Sequence, residues 1–196
     1  MNIKKEYIIF TIIFIVVCFF IYTKIKRYFF STLVKSSIDG RYYLVRNTKG
    51  KQESADMLAR INQRIKYLLE SLKISLKNNG PIPKENIILL LDRYNEESLY
   101  ENIEQDNTSY TLNKKEINMC LSTRDSNEKL YDLNLLMFVC LHELAHVGCL
   151  SIGHNKEFTE FFKFLVKYSV VIGIYTEIDY SKSPQEYCGM TITNGV

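Results

Sequence analysis

Residues 7–23 read YIIFTIIFIVVCFFIYT, an uncharged run that is apolar on every helical face and is bounded by Lys4-Lys5 and by Lys24-Ile25-Lys26-Arg27. A helix of this kind is not an ordinary amphipathic surface helix. Its length lies at the short end of the roughly 17–25 residues needed to cross a bilayer. Ile21-Tyr22-Thr23-Lys24 offers no small-residue cleavage site, so a removable signal peptide is disfavoured. The pattern therefore predicts an uncleaved transmembrane anchor with a juxtamembrane segment over residues 1–37, and a separate domain over 38–196. The greater Lys/Arg count on the C-terminal flank assigns that domain to the cytosolic side of a single-pass membrane protein.

Beyond this run the patterns shorten. Residues 41–46 (RYYLVR) read as a strand, closed by the turn signal Asn47-Thr48-Lys49-Gly50. Met57, Ile61, Ile65, Leu68, Leu69, Leu72 and Leu76 recur at helical spacing, predicting a helix over 54–78 that ends at Asn78-Asn79-Gly80-Pro81. Residues 84–94 fit strand or helix by their apolar run 87–91, and the flanking Lys84-Glu85 and Asp92-Arg93 favour a short helix. The polar stretch 95–107 reads as a loop. Residues 110–112 and 116–121, separated by Asn113-Lys114-Lys115, form a predicted hairpin.

The last two helices carry clear start signals. Asp132 is a candidate N-cap for a helix whose stripe is Leu133, Leu136, Met137, Cys140, Leu141 and Leu144. Gly148 or Gly153 allows a break, and Asn155 can cap a following helix to about residue 171. From Gly173 onward no element is signalled.

Composition adjusts this picture in two respects. Of the net charge of +3, residues 1–41 contribute seven Lys/Arg against two acids, leaving residues 42–196 at −2. The basic character belongs to the N-terminal segment, so no nucleic-acid partner is expected. The five cysteines (18, 120, 140, 149 and 188) are odd in number and contain no Cys-x-x-Cys pair. They do not read as a disulfide framework, and Cys140 and Cys149 read as small buried hydrophobes.

The chemistry is concentrated in residues 139–154, VCLHELAHVGCLSIGH, which hold all three histidines of the 196-residue chain. His142 and His146, four apart on a helix, project from one face and can offer two imidazoles to one zinc ion. Glu143 is the neighbouring carboxylate placed to activate a metal-bound water as a base. His154 is the third candidate ligand. Three protein ligands leave the fourth position open, as catalysis requires. Glu157, Glu160 and Glu177 are the alternatives to His154. The metzincin spacing does not fit, because Cys149 and Ile152 stand where it calls for glycine and histidine. Tyr110, Tyr187 and Arg124 are candidates by type for stabilising an oxyanion.

The segment His142-Glu143-Leu144-Ala145-His146, followed by His154-Asn155-Lys156-Glu157-Phe158, resembles WLM/SprT-type zinc metallopeptidases. Their pattern is His-Glu-Leu-x-His, a short spacer, then a histidine with phenylalanine four residues later. The context, including Lys129-Leu130-Tyr131-Asp132-Leu133 and Tyr187-Cys188-Gly189-Met190, is similar to short, N-terminally anchored metallopeptidases of large DNA viruses. The resemblance implies an α+β, zincin-like fold with a small antiparallel-containing sheet packed on an active-site helix. It also implies Zn²⁺ on His142, His146 and His154, with Glu143 as catalytic base. The seven-residue spacer between His146 and His154 is longer than in most WLM members. The expected activity is that of a membrane-anchored zinc endopeptidase acting on a protein or peptide substrate. The alternative is a non-catalytic, zinc-stabilised membrane or virion structural protein.

Overall fold

The computed structural model describes residues 3–78, 82–104 and 108–193. Among these residues its architecture is mixed α+β, with five helices and three small sheets. Helix α1 (Ile3–Phe30) runs directly into strand β1 (Ser31–Lys35), which pairs antiparallel with β2 (Tyr42–Arg46) from Ser31↔Arg46 to Lys35↔Tyr42. The five residues of β1, expected as juxtamembrane chain, are thus part of a hairpin. Its turn is held by Asp56, whose carboxylate accepts from Ser36 Oγ (2.8 Å), Ser37 N (2.7 Å) and Ser37 Oγ (2.8 Å).

The expected membrane anchor requires correction. Among the described residues, no helix is long and apolar enough to cross a membrane. The uncharged run is 17 residues, which at about 1.5 Å per residue extends about 25 Å. A hydrocarbon core is about 30 Å thick. The single-pass topology and the localisation built on it fall with the anchor.

Helix α2 (Lys51–Lys77) forms the centre of the core, burying Leu58, Ile61, Ile65, Leu68 and Leu72 completely. Its predicted stop signal at 79–81 lies outside the described residues. Asn62 is buried on the same stripe because two tyrosines satisfy it: its Nδ2 donates to Tyr43 Oη (3.1 Å), and Tyr94 donates to its Oδ1 (2.9 Å). Helix α3 (Lys84–Arg93) follows as predicted. Residues 95–107, read as loop, instead contain a short 3-10 turn (Glu96–Ser98) and strand β3 (Leu99–Glu101). The strand was hidden by Glu101, an acid in a buried position that accepts from Arg46 N (2.9 Å).

The predicted hairpin forms as β4 (Tyr110–Leu112) and β5 (Glu116–Met119). Asn113 and Lys114 both adopt left-handed φ (52° and 55°) at its turn. Sheet order is β3-β5-β4, with β3 parallel and β4 antiparallel to β5. Helices α4 (Leu133–Gly148) and α5 (Lys156–Val171) have the expected caps: Asp132 accepts from Asn134 N (2.7 Å), and Asn155 from Phe158 N (3.1 Å). The tail forms an unpredicted hairpin, β6 (Gln185–Tyr187) with β7 (Met190–Ile192). It is tied to the body by a disulfide between Cys120 and Cys188. The expectation of no disulfide is corrected for this pair. Cys140 and Cys149 are free and buried, as their reading as hydrophobes requires.

Gly148 shows how closely α4 and α5 approach. A Cβ there would clash with Phe161 Cε1 and lie 3.0 Å from the Asn86 carbonyl oxygen. Phe161 is buried and Asn86 O is backbone, so neither yields easily. Gly148→Ala gains about 1 kcal/mol of helix propensity but overpacks the core at a cost of about 1–3 kcal/mol or more. The expected net result is a lower urea midpoint at unchanged m-value; an unchanged or higher midpoint would contradict this packing account.

Candidate metal centre and cleft

The C-terminal half of α4 carries His142 and His146 one turn apart, both facing a cleft. Gly153, in left-handed conformation (φ 82°), turns the chain after α4 so that His154 returns to them. The Nε2 atoms converge, with His154 2.9 Å from His142 and 3.1 Å from His146. Tetrahedral zinc with Zn–N of about 2.0–2.1 Å sets its ligand nitrogens about 3.3 Å apart. The donor set therefore fits such an ion, and these three side chains could hold a metal. Burial and the neighbouring histidines push the His142 imidazole down to about 3, and burial, His154 and Lys114 push His146 down to about 4. Both rings are thus neutral at pH 7, as a metal ligand must be. Phe158 serves all three: it stacks on His146 at 4.3 Å and meets His142 (4.8 Å) and His154 (4.7 Å) edge-on.

Glu143 lines the same cleft as the three histidines. It is buried, and the Thr111 hydroxyl on β4 donates to its Oε2 at 2.8 Å. Burial raises the carboxyl to about 7, while the Thr111 bond acts in the opposite direction. A carboxyl near this value can both take and return a proton at neutral pH.

The loop between the helices is clamped by groups that sequence reasoning did not single out. Lys114 Nζ donates to the carbonyls of His146 (3.3 Å), Cys149 (2.8 Å) and Ser151 (2.6 Å). Arg93 reaches the carbonyls of Val147 (2.9 Å) and Cys149 (2.8 Å), and Asn86 that of Gly148 (3.0 Å). Together they satisfy the orphan carbonyls of the α4 C-terminus and complement its negative end.

Of the three glutamates considered beside His154, none joins the cluster. Glu157 accepts from Leu150 N (2.9 Å), Ser151 N (3.1 Å) and the Ser151 hydroxyl, bonds that hold its carboxyl down to about 2. It braces the loop. Glu160 pairs with Lys156 at 3.7 Å, and Glu177 is exposed. Among the oxyanion candidates, Tyr187 donates its hydroxyl to Cys120 O (2.8 Å) and Arg124 donates to Asn102 O (3.1 Å). Tyr110 lines the cleft. Burial raises the Cys140 thiol, and raises Cys149 to about 11, which speaks against either as a thiolate nucleophile.

The cleft above the histidines has a volume of about 1150 Å³. It is lined by residues of β4, α4, α5 and β7 and by the loop that carries His154.

Fold and site together define a small α+β protein with a three-histidine cluster at the floor of an open cleft. The chain belongs to a family of proteins of large DNA viruses. It is 40% identical over 164 residues to Uncharacterized protein R325 of Acanthamoeba polyphaga mimivirus, covering 83% of this chain and 82% of that protein. It is also 43% identical over 101 residues to Uncharacterized protein 042R of Invertebrate iridescent virus 3 (50% and 59% of the two chains). Uncharacterized protein 136R of Invertebrate iridescent virus 6 is 33% identical over 118 residues (57% and 66%). The chain thus spans less than two thirds of the length of each of these two iridescent-virus relatives. No family model matches the chain, and no solved structure matches it.

Proposed function

We propose that this protein is a zinc-dependent endopeptidase of zincin-like organisation, in keeping with the resemblance of its histidine segment to WLM/SprT-type enzymes. One observation carries the reading: three converging imidazole nitrogens share an open cleft with a single buried carboxyl, and two of the imidazoles stand with that carboxyl on helix α4. When bound, zinc would supply a Lewis acid that acidifies water and polarises a peptide carbonyl. The chain's own part is defined by its geometry. His142, His146 and His154 would hold the ion, with Phe158 fixing their rings. Glu143 would take a proton from the attacking water and return it to the leaving amine, and Thr111 orients its carboxyl for both transfers. A zinc site serving only to brace the fold would have no need of a desolvated carboxyl beside it.

Metal analysis of the purified full chain tests the first half of the proposal. One zinc per chain is expected, and His154→Ala should weaken zinc binding by orders of magnitude. A chain without zinc, or full affinity in His154→Ala, overturns this ligand set.

A further inference from the structure

The β6–β7 hairpin forms its own two-stranded sheet and joins no larger one. Its two-residue turn, Cys188-Gly189, has left-handed φ at both positions (46° and 82°), which suits a tight hairpin. Side-chain bonds, rather than a strand ladder, hold it to the body. Besides the disulfide, Tyr131 Oη accepts from Cys188 N (2.8 Å), and Tyr187 bonds both Cys120 O (2.8 Å) and Ser109 Oγ (2.5 Å). So fixed, β7 brings Met190 and Ile192 into the cleft lining with Val139, Phe138 and Phe162 of the helices.

This apolar patch adjoins the histidines. Val139 lies three residues before His142 on α4, and the Phe162 ring is 5.2 Å from the His142 ring. Met190 is 48% exposed, so its side chain is open to the cleft. The cleft is poor in charge: Lys114 and Glu143 are its charged lining residues, and both already have hydrogen-bond partners. A charged side chain seated on the patch of Phe138, Val139, Phe162, Met190 and Ile192 would lose hydration without compensation, whereas a large apolar one would bury its surface favourably.

We infer that the C-terminal hairpin is the specificity element of the cleft. Met190 and Ile192 close a subsite that selects extended peptides carrying a large apolar side chain beside the histidines. That the selected side chain flanks a bond to be cut rests on the endopeptidase reading above; the selection itself does not.

Fluorescein-labelled Gly/Ser decapeptides with one central Leu, Phe, Ser or Asp provide the probe, with binding to the zinc-loaded full chain read by anisotropy. To keep the probes intact, the Glu143→Gln chain is used for binding and the unaltered chain for cleavage. The Leu and Phe peptides are expected to bind about tenfold or more tightly than the Ser peptide. Met190→Asp should reduce that ratio to about threefold or less, and Met190→Leu should restore it. A ratio near one, or one unmoved by Met190→Asp, overturns the inference. If the ratio holds while the unaltered chain cleaves none of the peptides, the subsite stands and the endopeptidase reading falls. If peptides are cleaved without apolar preference, the reverse is true.

Discussion

Replacing Glu143 by glutamine is expected to lower peptide hydrolysis about 10²–10⁴-fold, the range for losing a general base, while zinc content stays unchanged. Glutamine keeps the shape of the side chain and can still accept the Thr111 hydroxyl now bonded to Oε2. It cannot take up a proton. Because the native carboxyl is buried and its ionised form disfavoured, a neutral amide should not destabilise the fold. Three readouts on the full chain separate the alternatives: casein hydrolysis, zinc per chain and the urea midpoint. Loss of hydrolysis alone supports the base. Loss of zinc or stability along with it would make Glu143 a structural residue, and undiminished hydrolysis would remove it from the mechanism. If the unaltered chain hydrolyses nothing, the purely structural role for zinc is left standing.

The second large effect concerns the disulfide. Cys120 and Cys188 are 68 positions apart, and closing a loop of that size stabilises by about 4 kcal/mol in the chain-entropy account. Measured values run at about 2–4 kcal/mol, so the Cys120→Ser/Cys188→Ser chain should lose about that much in urea unfolding. Thiol titration of the unfolded chain gives the independent check. Before reduction, Cys18, Cys140 and Cys149 should react, giving three thiols; after reduction all five should. Five reactive thiols before reduction would show the bond absent, and an unchanged midpoint in the double variant would show it energetically idle.

What could be read from the sequence was what local spacing determines. Helices α2 and α4 are legible from apolar stripes at helical spacing, α4 and α5 from the caps Asp132 and Asn155, which act within three residues of themselves, and α3 only from the charged pairs flanking a run that suits strand or helix. The β4–β5 hairpin was legible from two short runs flanking Asn113-Lys114-Lys115. The three histidines were legible because they lie in one window and Phe158 follows His154 by a helical turn. Strands β1, β3, β6 and β7 were not, since three to five residues carry too little periodicity and their pairing is decided elsewhere. Glu101 even inverted the signal, as an acid inside. The N-terminal run has the apolarity and flanking charges of an anchor, but among the described residues no helix is long and apolar enough to cross a membrane. Lys114, Arg93 and Asn86 converge on the end of α4 from 32 or more positions away, and no spacing rule reaches that far. Glu157 had the right chemistry for a ligand, but the amides of Leu150 and Ser151 claim it.

The same covalent bond has a topological consequence. The span from Cys120 to Cys188 contains α4, α5 and the loop joining them, so all three histidines and Glu143 lie inside one closed ring. Ile152, in that loop, is 90% exposed. A nick there would not release a fragment. His142 and His146 would remain on one piece, His154 on the other, and the ring would keep the two pieces tethered until the bond is reduced.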